Sequence, residues 1–196
     1  MASQVMCSDV KCLRPIEKAG VVYELLRNCT HGTFPIVDSD GSGTLYGTAS
    51  RDMLCTLLHR KAYGSPDVLN SESDAGMALG PKRRISPLVQ WETLERAYPK
   101  YPTIEDVDMK SADRNRLLDL RPYANTAPYT INETSSIQRT YRLFRTLGLR
   151  TLCVVNHTNQ VVGIITRKDL LPEALSDSHL RGRNAHSENK SEGQFV

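Results

Sequence analysis

Thr166-Arg167-Lys168-Asp169 is the stretch of this chain whose residue types and spacing could do chemistry. It follows the apolar run Val161 to Ile165, so it sits where a strand hands over to a helix. A hydroxyl and a carboxylate three residues apart at such a point form a capping box, Thr166 as N-cap and Asp169 reaching back to the cap's own amide, and this stabilises the helix with no ligand present. The same phrase occurs earlier in a weaker form. Phe34 to Val37 and Thr44 to Ala49 lead into Ser50-Arg51-Asp52-Met53, with Met53 where the later copy has Asp169. Two helix entrances beside two strand ends make a cleft of the kind in which a nucleotide sits.

Other constellations are weaker. Asp38-Ser39-Asp40-Gly41-Ser42-Gly43 imitates a calcium loop, but its twelfth position is Ala49 in place of a bidentate Glu and its flanks read as strands. A strand-to-strand loop is the better reading. Lys82-Arg83-Arg84-Ile85-Ser86 has the form of a basophilic kinase site at Ser86, against which stands the commoner solvated charge run. The five histidines are not spaced with cysteines or acids as metal ligands, and no nucleophile-and-base arrangement is visible. No metal and no reaction centre are expected. Five cysteines without a C-x-x-C pair read as free thiols of a reducing compartment.

The elements that must position Thr166 and Asp169 form a duplicated unit of the order β-α-β-β-α, an α/β (α+β) fold. In the first copy a strand at Val10 to Leu13 precedes a helix from about Lys18 to Asn28, a strand at Phe34 to Val37, a returning strand at Thr44 to Ala49, and a helix capped by Ser50. His31-Gly32-Thr33 reads as a helix-to-strand turn in which Gly32 supplies a positive φ. In the second copy Tyr129 to Ile131 precedes a helix from a Ser135 cap to a Gly148 stop, strands at Thr151 to Val155 and Val161 to Ile165, and a last helix from Arg167 to about Leu175. The map expected is a first unit over residues 1–61, a linker over 62–121 with a short helix near 91–98, a second unit over 122–178 and a disordered tail over 179–196. Each unit alone leaves an apolar sheet face uncovered, so the two are expected to pack as a pseudo-twofold pair.

With 196 residues, 39% hydrophobic, the chain holds one ordinary core or two small interdependent ones. Its 25 basic and 22 acidic residues are too evenly mixed for nucleic-acid capture. No apolar run approaches the roughly 20 residues of a membrane span, and the first residues lack a secretory pattern, so the chain by itself reads as soluble.

The paired order with Gly-x-x-Thr-x-x-Asp at the last strand-to-helix turn resembles the tandem cystathionine-β-synthase (CBS) domain, or Bateman module. The strings Tyr98-Pro99-Lys100-Tyr101-Pro102, Leu118-Asp119-Leu120-Arg121-Pro122-Tyr123 and Leu143-Phe144-Arg145-Thr146-Leu147-Gly148-Leu149-Arg150 are similar to the cytoplasmic carboxy-terminal region of eukaryotic CLC chloride channels and chloride/proton exchangers, above all the lysosomal and late-endosomal branch. The resemblance implies a regulatory domain binding ATP, ADP or AMP between its two units. In such a site Asp169 would accept both ribose hydroxyls, Thr166 would face the ribose or adenine, Lys168 would lend positive charge where phosphates meet the helix N-terminus, and Arg167 would belong to the same binding stretch. His31, Gly32 and Thr33 would meet the nucleotide from the other unit, although relatives present Tyr-Ser-Gly or His-Asn-Gly there. It further implies a homodimeric parent, a CLC membrane domain as partner, the cytoplasmic face of an endosomal or lysosomal membrane as location, and no enzymatic activity. The ion pathway is not in this sequence, so it reads as a regulatory piece, a truncated product or a free-standing relative. The rival is a free-standing CBS-pair energy sensor docking on another protein, separable by whether an open frame upstream of Met1 encodes apolar helices; an enzyme is the third reading.

Ser86 has no buried role suggested by its neighbours, so Ser86→Asp should leave folding intact, within about ±0.5 kcal/mol. Thermal denaturation tests this, and a loss of several degrees would show the segment to be packed core.

Overall fold

The structure is a computed structural model that describes residues 1–64 and 87–171. Ser86, the expected continuation of the last helix past Leu171 and the polar tail lie outside the described residues. Short strands and helices alternate around small sheets, an α/β fold. Strand β1 (Ile16–Lys18) leads into α1 (Ala19–Asn28), β2 (Thr33–Val37), β3 (Leu45–Ser50) and α2 (Arg51–His59). There follow α3 (Trp91–Arg96), short 3-10 turns at Ile104–Asp106 and Ser111–Asp113, and β4 (Leu117–Asp119). Strand β5 (Thr130–Asn132), α4 (Ile137–Leu147), β6 (Thr151–Val155) and β7 (Val161–Thr166) complete the described fold, with a 3-10 turn at Lys168–Leu170.

These elements form two compact units, Lys11–Thr126 and Met1–Val10 together with the chain from Ala127. They divide the chain at 10/11 and 126/127, where the sequence map put boundaries at 61/62 and 121/122. The reason is backbone pairing over long distances. Strand β4, which lies within the supposed linker, pairs antiparallel with β1, Glu17 opposite Leu118. Leu94, Ile104, Val107, Leu118 and Leu120 join Leu26, Phe34, Leu54 and Leu57 in one core. The second core gathers Ile131, Phe144, Leu152, Val154 and Ile165, and Ala2 and Val5 from the start of the chain belong to it.

Each unit is built on an antiparallel hairpin with the same irregularity. In β2·β3 the register shifts between Ile36 and Val37, with Ile36 opposite Gly47. In β6·β7 it shifts between Val154 and Val155, with Val154 opposite Gly163. Beside each hairpin lies a parallel partner, the strand β5 in one unit and the single bridging residue Leu13 against Ile36 in the other. The strand expected at Val10 to Leu13 is thus reduced to one residue. Pro15, which has no N–H to donate, stands two residues on, and the regular strand forms only at Ile16–Lys18.

On its other edge each hairpin receives a distant segment. Thr48 exchanges both backbone hydrogen bonds with Asn125, at 2.9 Å each. Ile164, at the matching place in β7, does the same with Cys7, at 2.9 and 3.0 Å. The residue before each is glycine, and this is where glycine is required: a Cβ on Gly47 would stand 2.6 Å from the Asn125 carbonyl oxygen, and one on Gly163 would collide with the Met6 side chain.

Helix boundaries follow local chemistry. Ser50 accepts a hydrogen bond from the Met53 amide and caps α2, and Ser136, one residue after the expected cap, does the same for α4 through Arg139. Gly148 ends α4 in the left-handed region at φ 63°. Among the described residues no helix is long and apolar enough to cross a membrane.

Gly47→Ala should lower stability by about 1–3 kcal/mol, since its methyl meets a backbone carbonyl that is itself paired. Gly163→Ala should cost less, because the obstacle is a flexible methionine. Urea denaturation of both variants checks this, and equal costs would mean that the Asn125 crossing is not held in place.

Candidate functional site

At the end of β7 the Thr166 amide and hydroxyl both donate to the same Asp169 oxygen, Oδ2, at 2.7 Å each. This is the contact expected of the capping box, with one change. The described turn is 3-10, Lys168–Leu170, and its N-cap position falls on Arg167. Thr166 and Asp169 are half-buried, while Arg167 and Lys168 are exposed. A carboxylate offers about four acceptor directions. Two are used on Oδ2, and Oδ1 has no partner among the described residues. The arrangement is therefore an anchored carboxylate with one oxygen open to accept from hydroxyl groups.

Arg167 is engaged elsewhere. Its Nε and Nη2 donate to the carbonyls of Leu149 and Gly148 at 2.6 and 2.7 Å, tying β7 to the end of α4. The first copy has the same device: Arg51 Nη1 and Nη2 donate to Cys29 and Leu26 carbonyls at 2.7 and 2.6 Å at the end of α1. In both copies a guanidinium fork satisfies carbonyls at the helix terminus where positive charge is favoured. The structure shows this role for Arg167, which the sequence named only among the residues near the nucleotide. The signal was present in the sequence, since Ser50-Arg51 and Thr166-Arg167 repeat at the same point, but only the fold shows what the arginines reach.

His31, Gly32 and Thr33 belong to the other compact unit from Thr166 and Asp169. The His31 ring is tilted against Phe34 at 6.3 Å between centroids. The expectation that Gly32 needs a positive φ is corrected, because the described glycines with positive φ are Gly41, Gly43 and Gly148. Gly32 instead lies at a bend just before β2, and its carbonyl accepts from the Arg51 amide at 2.9 Å. In Asp38–Gly43 hydrogen bonding from the Ser42 side chain, and then from the Ser42 amide at 2.8 Å, holds the charged form of Asp40 and keeps its carboxyl below the usual range. This is loop chemistry joining β2 to β3.

The CBS domain family profile matches residues 120–176. The H(+)/Cl(-) exchange transporter 7 of Bos taurus is 37% identical over 174 residues, 86% of this chain and 20% of that protein. Chloride channel protein CLC-c of Arabidopsis thaliana is 32% identical over 190 residues, 88% of this chain and 22% of that protein. Among solved structures, CBSX2 of Arabidopsis thaliana in complex with AMP superposes with a TM-score of 0.51 at 16% identity, over 90% of this chain and 96% of that one. That likeness establishes the fold. The profile match places a CBS domain at residues 120–176, and the repeated hairpins with this superposition give the chain the fold of paired CBS domains. More particularly, the chain is homologous over most of its length to the CBS-bearing region of CLC chloride channels and exchangers, and it spans about a fifth of the length of the relatives it matches.

Arg51→Ala should lower stability by about 1.5–3 kcal/mol, the range for a hydrogen bond to a charged group. Arg51→Lys should recover only part, for lysine has no planar fork. The exposed Arg167→Ala should cost less. Equal stabilities of all three in a denaturant titration would show that the clamps contribute nothing.

Proposed function

We propose that this chain is the regulatory part of a CLC-type chloride channel or chloride/proton exchanger and that it senses an adenosine nucleotide, ATP, ADP or AMP, through Asp169. The observation that carries the proposal is the Asp169 carboxylate, held on Oδ2 by Thr166 and open on Oδ1. Two vicinal ribose hydroxyls are a natural donor pair for such an oxygen, and charge-assisted bonds of this kind are the strong ones. Lys168, exposed on the same turn, supplies positive charge for the phosphates. Support also comes from the AMP bound to the fold relative CBSX2. In this reading the chain has no reaction of its own. It serves a homodimeric parent whose membrane domain carries the anion, at the cytoplasmic face of an intracellular membrane, and the nucleotide acts by favouring one arrangement of the regulator over another. Met53 in the place of Asp169 leaves the first copy without a ribose partner, so one nucleotide per chain is the expected stoichiometry. His31 and Thr33 are kept as contributors to nucleotide binding, to be tested by substitution in the same assay.

Asp169→Ala should weaken nucleotide binding about ten- to a hundredfold, since each lost bond contributes roughly 1.5–3 kcal/mol and 1.4 kcal/mol is a decade. Loss of its contacts with Thr166 should lower stability by only ~1 kcal/mol. Asp169→Asn keeps an acceptor for Thr166 but loses the charge, so it should impair binding while leaving the melting temperature of the free protein nearly unchanged. Calorimetric titration of wild type and both variants with ATP and AMP tests the reading. Unchanged affinities, or no binding by wild type at millimolar nucleotide, would leave Asp169 as a turn-stabilising residue only.

A further inference from the structure

Between Glu133 and Asp169 the chain has no acidic residue, yet it carries Arg139, Arg142, Arg145, Arg150, Arg167 and Lys168. Arg167 is spent on the end of α4, but the side chains of Arg139, Arg142 and Arg145 make no ion pair or hydrogen bond among the described residues and are exposed. They recur every third residue along α4, so they share the outward side of that helix while Thr140 and Phe144 are buried on the other. In the other compact unit some arginines are paired, Arg114 with Glu24 at 2.8 Å and Arg121 with Asp119 at 2.8 Å. What distinguishes this face is three exposed arginines at regular spacing on one helix without a carboxylate partner among the described residues.

The face is also concave. A groove of about 590 Å³ runs along it, lined by Ser136, Gln138, Arg139, Arg142, Leu143, Thr146 and Leu147. Leu147, within it, is 43% exposed. An apolar floor with an arginine rim accepts a ligand that offers an apolar side chain and carboxylates one helical turn apart. A flat lipid surface would satisfy the arginines but leave the floor of the groove unfilled. A second copy of the same face would set arginine against arginine across a twofold axis, which disfavours self-association.

We propose that the outward face of α4 is a docking site for an acidic amphipathic peptide segment of a partner protein, its carboxylates on Arg139 and Arg142 and an apolar side chain on Leu143 and Leu147. Bidentate pairing with carboxylates makes arginine the suitable residue here, and the uncompensated charge speeds encounter with an acidic partner.

The test uses the full chain and three fluorescent probes: a helical peptide with glutamates and leucines at i, i+3 and i+4 spacing, the same peptide with lysines for the glutamates, and vesicles of phosphatidylserine and phosphatidylcholine. Anisotropy titration should show binding of the glutamate peptide, weakening as salt is raised, and none of the lysine peptide. The double variant Arg139→Glu, Arg142→Glu should raise the Kd at least about tenfold, while circular dichroism and the melting temperature stay as in wild type because both side chains are solvent-exposed. Arg139→Lys with Arg142→Lys should give an intermediate Kd. Failure of the glutamate peptide to bind, or equal binding by the charge-reversed variant, overturns the proposal. So does arginine-dependent binding of vesicles without peptide binding, which would make the face a lipid-contacting one. Sedimentation showing that charge reversal changes only self-association would overturn it in favour of a second copy. Because Asp169 is untouched in these variants, the outcome is independent of the nucleotide reading.

Discussion

The fold depends on one geometric constraint that occurs twice: a bulged hairpin whose outer strand has a glycine, so that a distant stretch of backbone can lie against it and pair. At Gly47 the visitor is Asn125, and at Gly163 it is Met6 with Cys7. Each pairing supplies only two hydrogen bonds, individually modest. Their weight comes from what they exclude. Without the visitor, Thr48 and Ile164 would present unpaired N–H and C=O groups on the edge of a two- or three-stranded sheet too small to stand alone. The cores then follow: Ala2 and Val5 are buried with Ile131 and Ile165 because Cys7 is pinned, and Leu118 and Leu120 are buried with Leu13 and Phe34 because the chain leading to Asn125 is.

The candidate site inherits its rigidity from the same strand. Ile164 is paired on one side with Cys7 and on the other with Cys153, and two residues later Thr166 fixes Asp169. Arg167 then anchors the following turn to the end of α4. A carboxylate held this way loses little conformational freedom when something binds to its open oxygen, and preorganisation is the cheapest source of affinity. The first copy keeps the strand, the cap and the arginine clamp but has Met53 at the position of Asp169.

Much of this was legible in the residues. The hairpins, the α1 and α4 helices, the Ser50 cap and the Gly148 stop are written in local periodicity and turn chemistry, which act over a few residues. The Thr166 and Asp169 contact was legible for the same reason, being a spacing of three. What was hidden depends on partners far away in sequence. Leu117-Leu118-Asp119 is too short to show a period, and it becomes a strand only because β1 is there to pair with it. Gly32 was read as a conformational need, but it has no positive φ and open space where a Cβ would stand. Gly47 and Gly163 did carry a signal, since a glycine inside a strand pattern marks close approach by another backbone, but they do not name which backbone arrives.

That exchange of segments sets an order in time. Residues 1–10 leave the ribosome long before 127–166, and at about 5–20 residues per second the wait is roughly 8–30 s. The unit spanning Lys11–Thr126 has its own partners in hand by then and can close around them. The opening segment, with Ala2, Val5 and Met6 still uncovered, cannot. Biosynthesis of this molecule thus includes an interval in which a short apolar stretch stands unclaimed, and its keeping during that interval is a task for whatever meets the nascent chain.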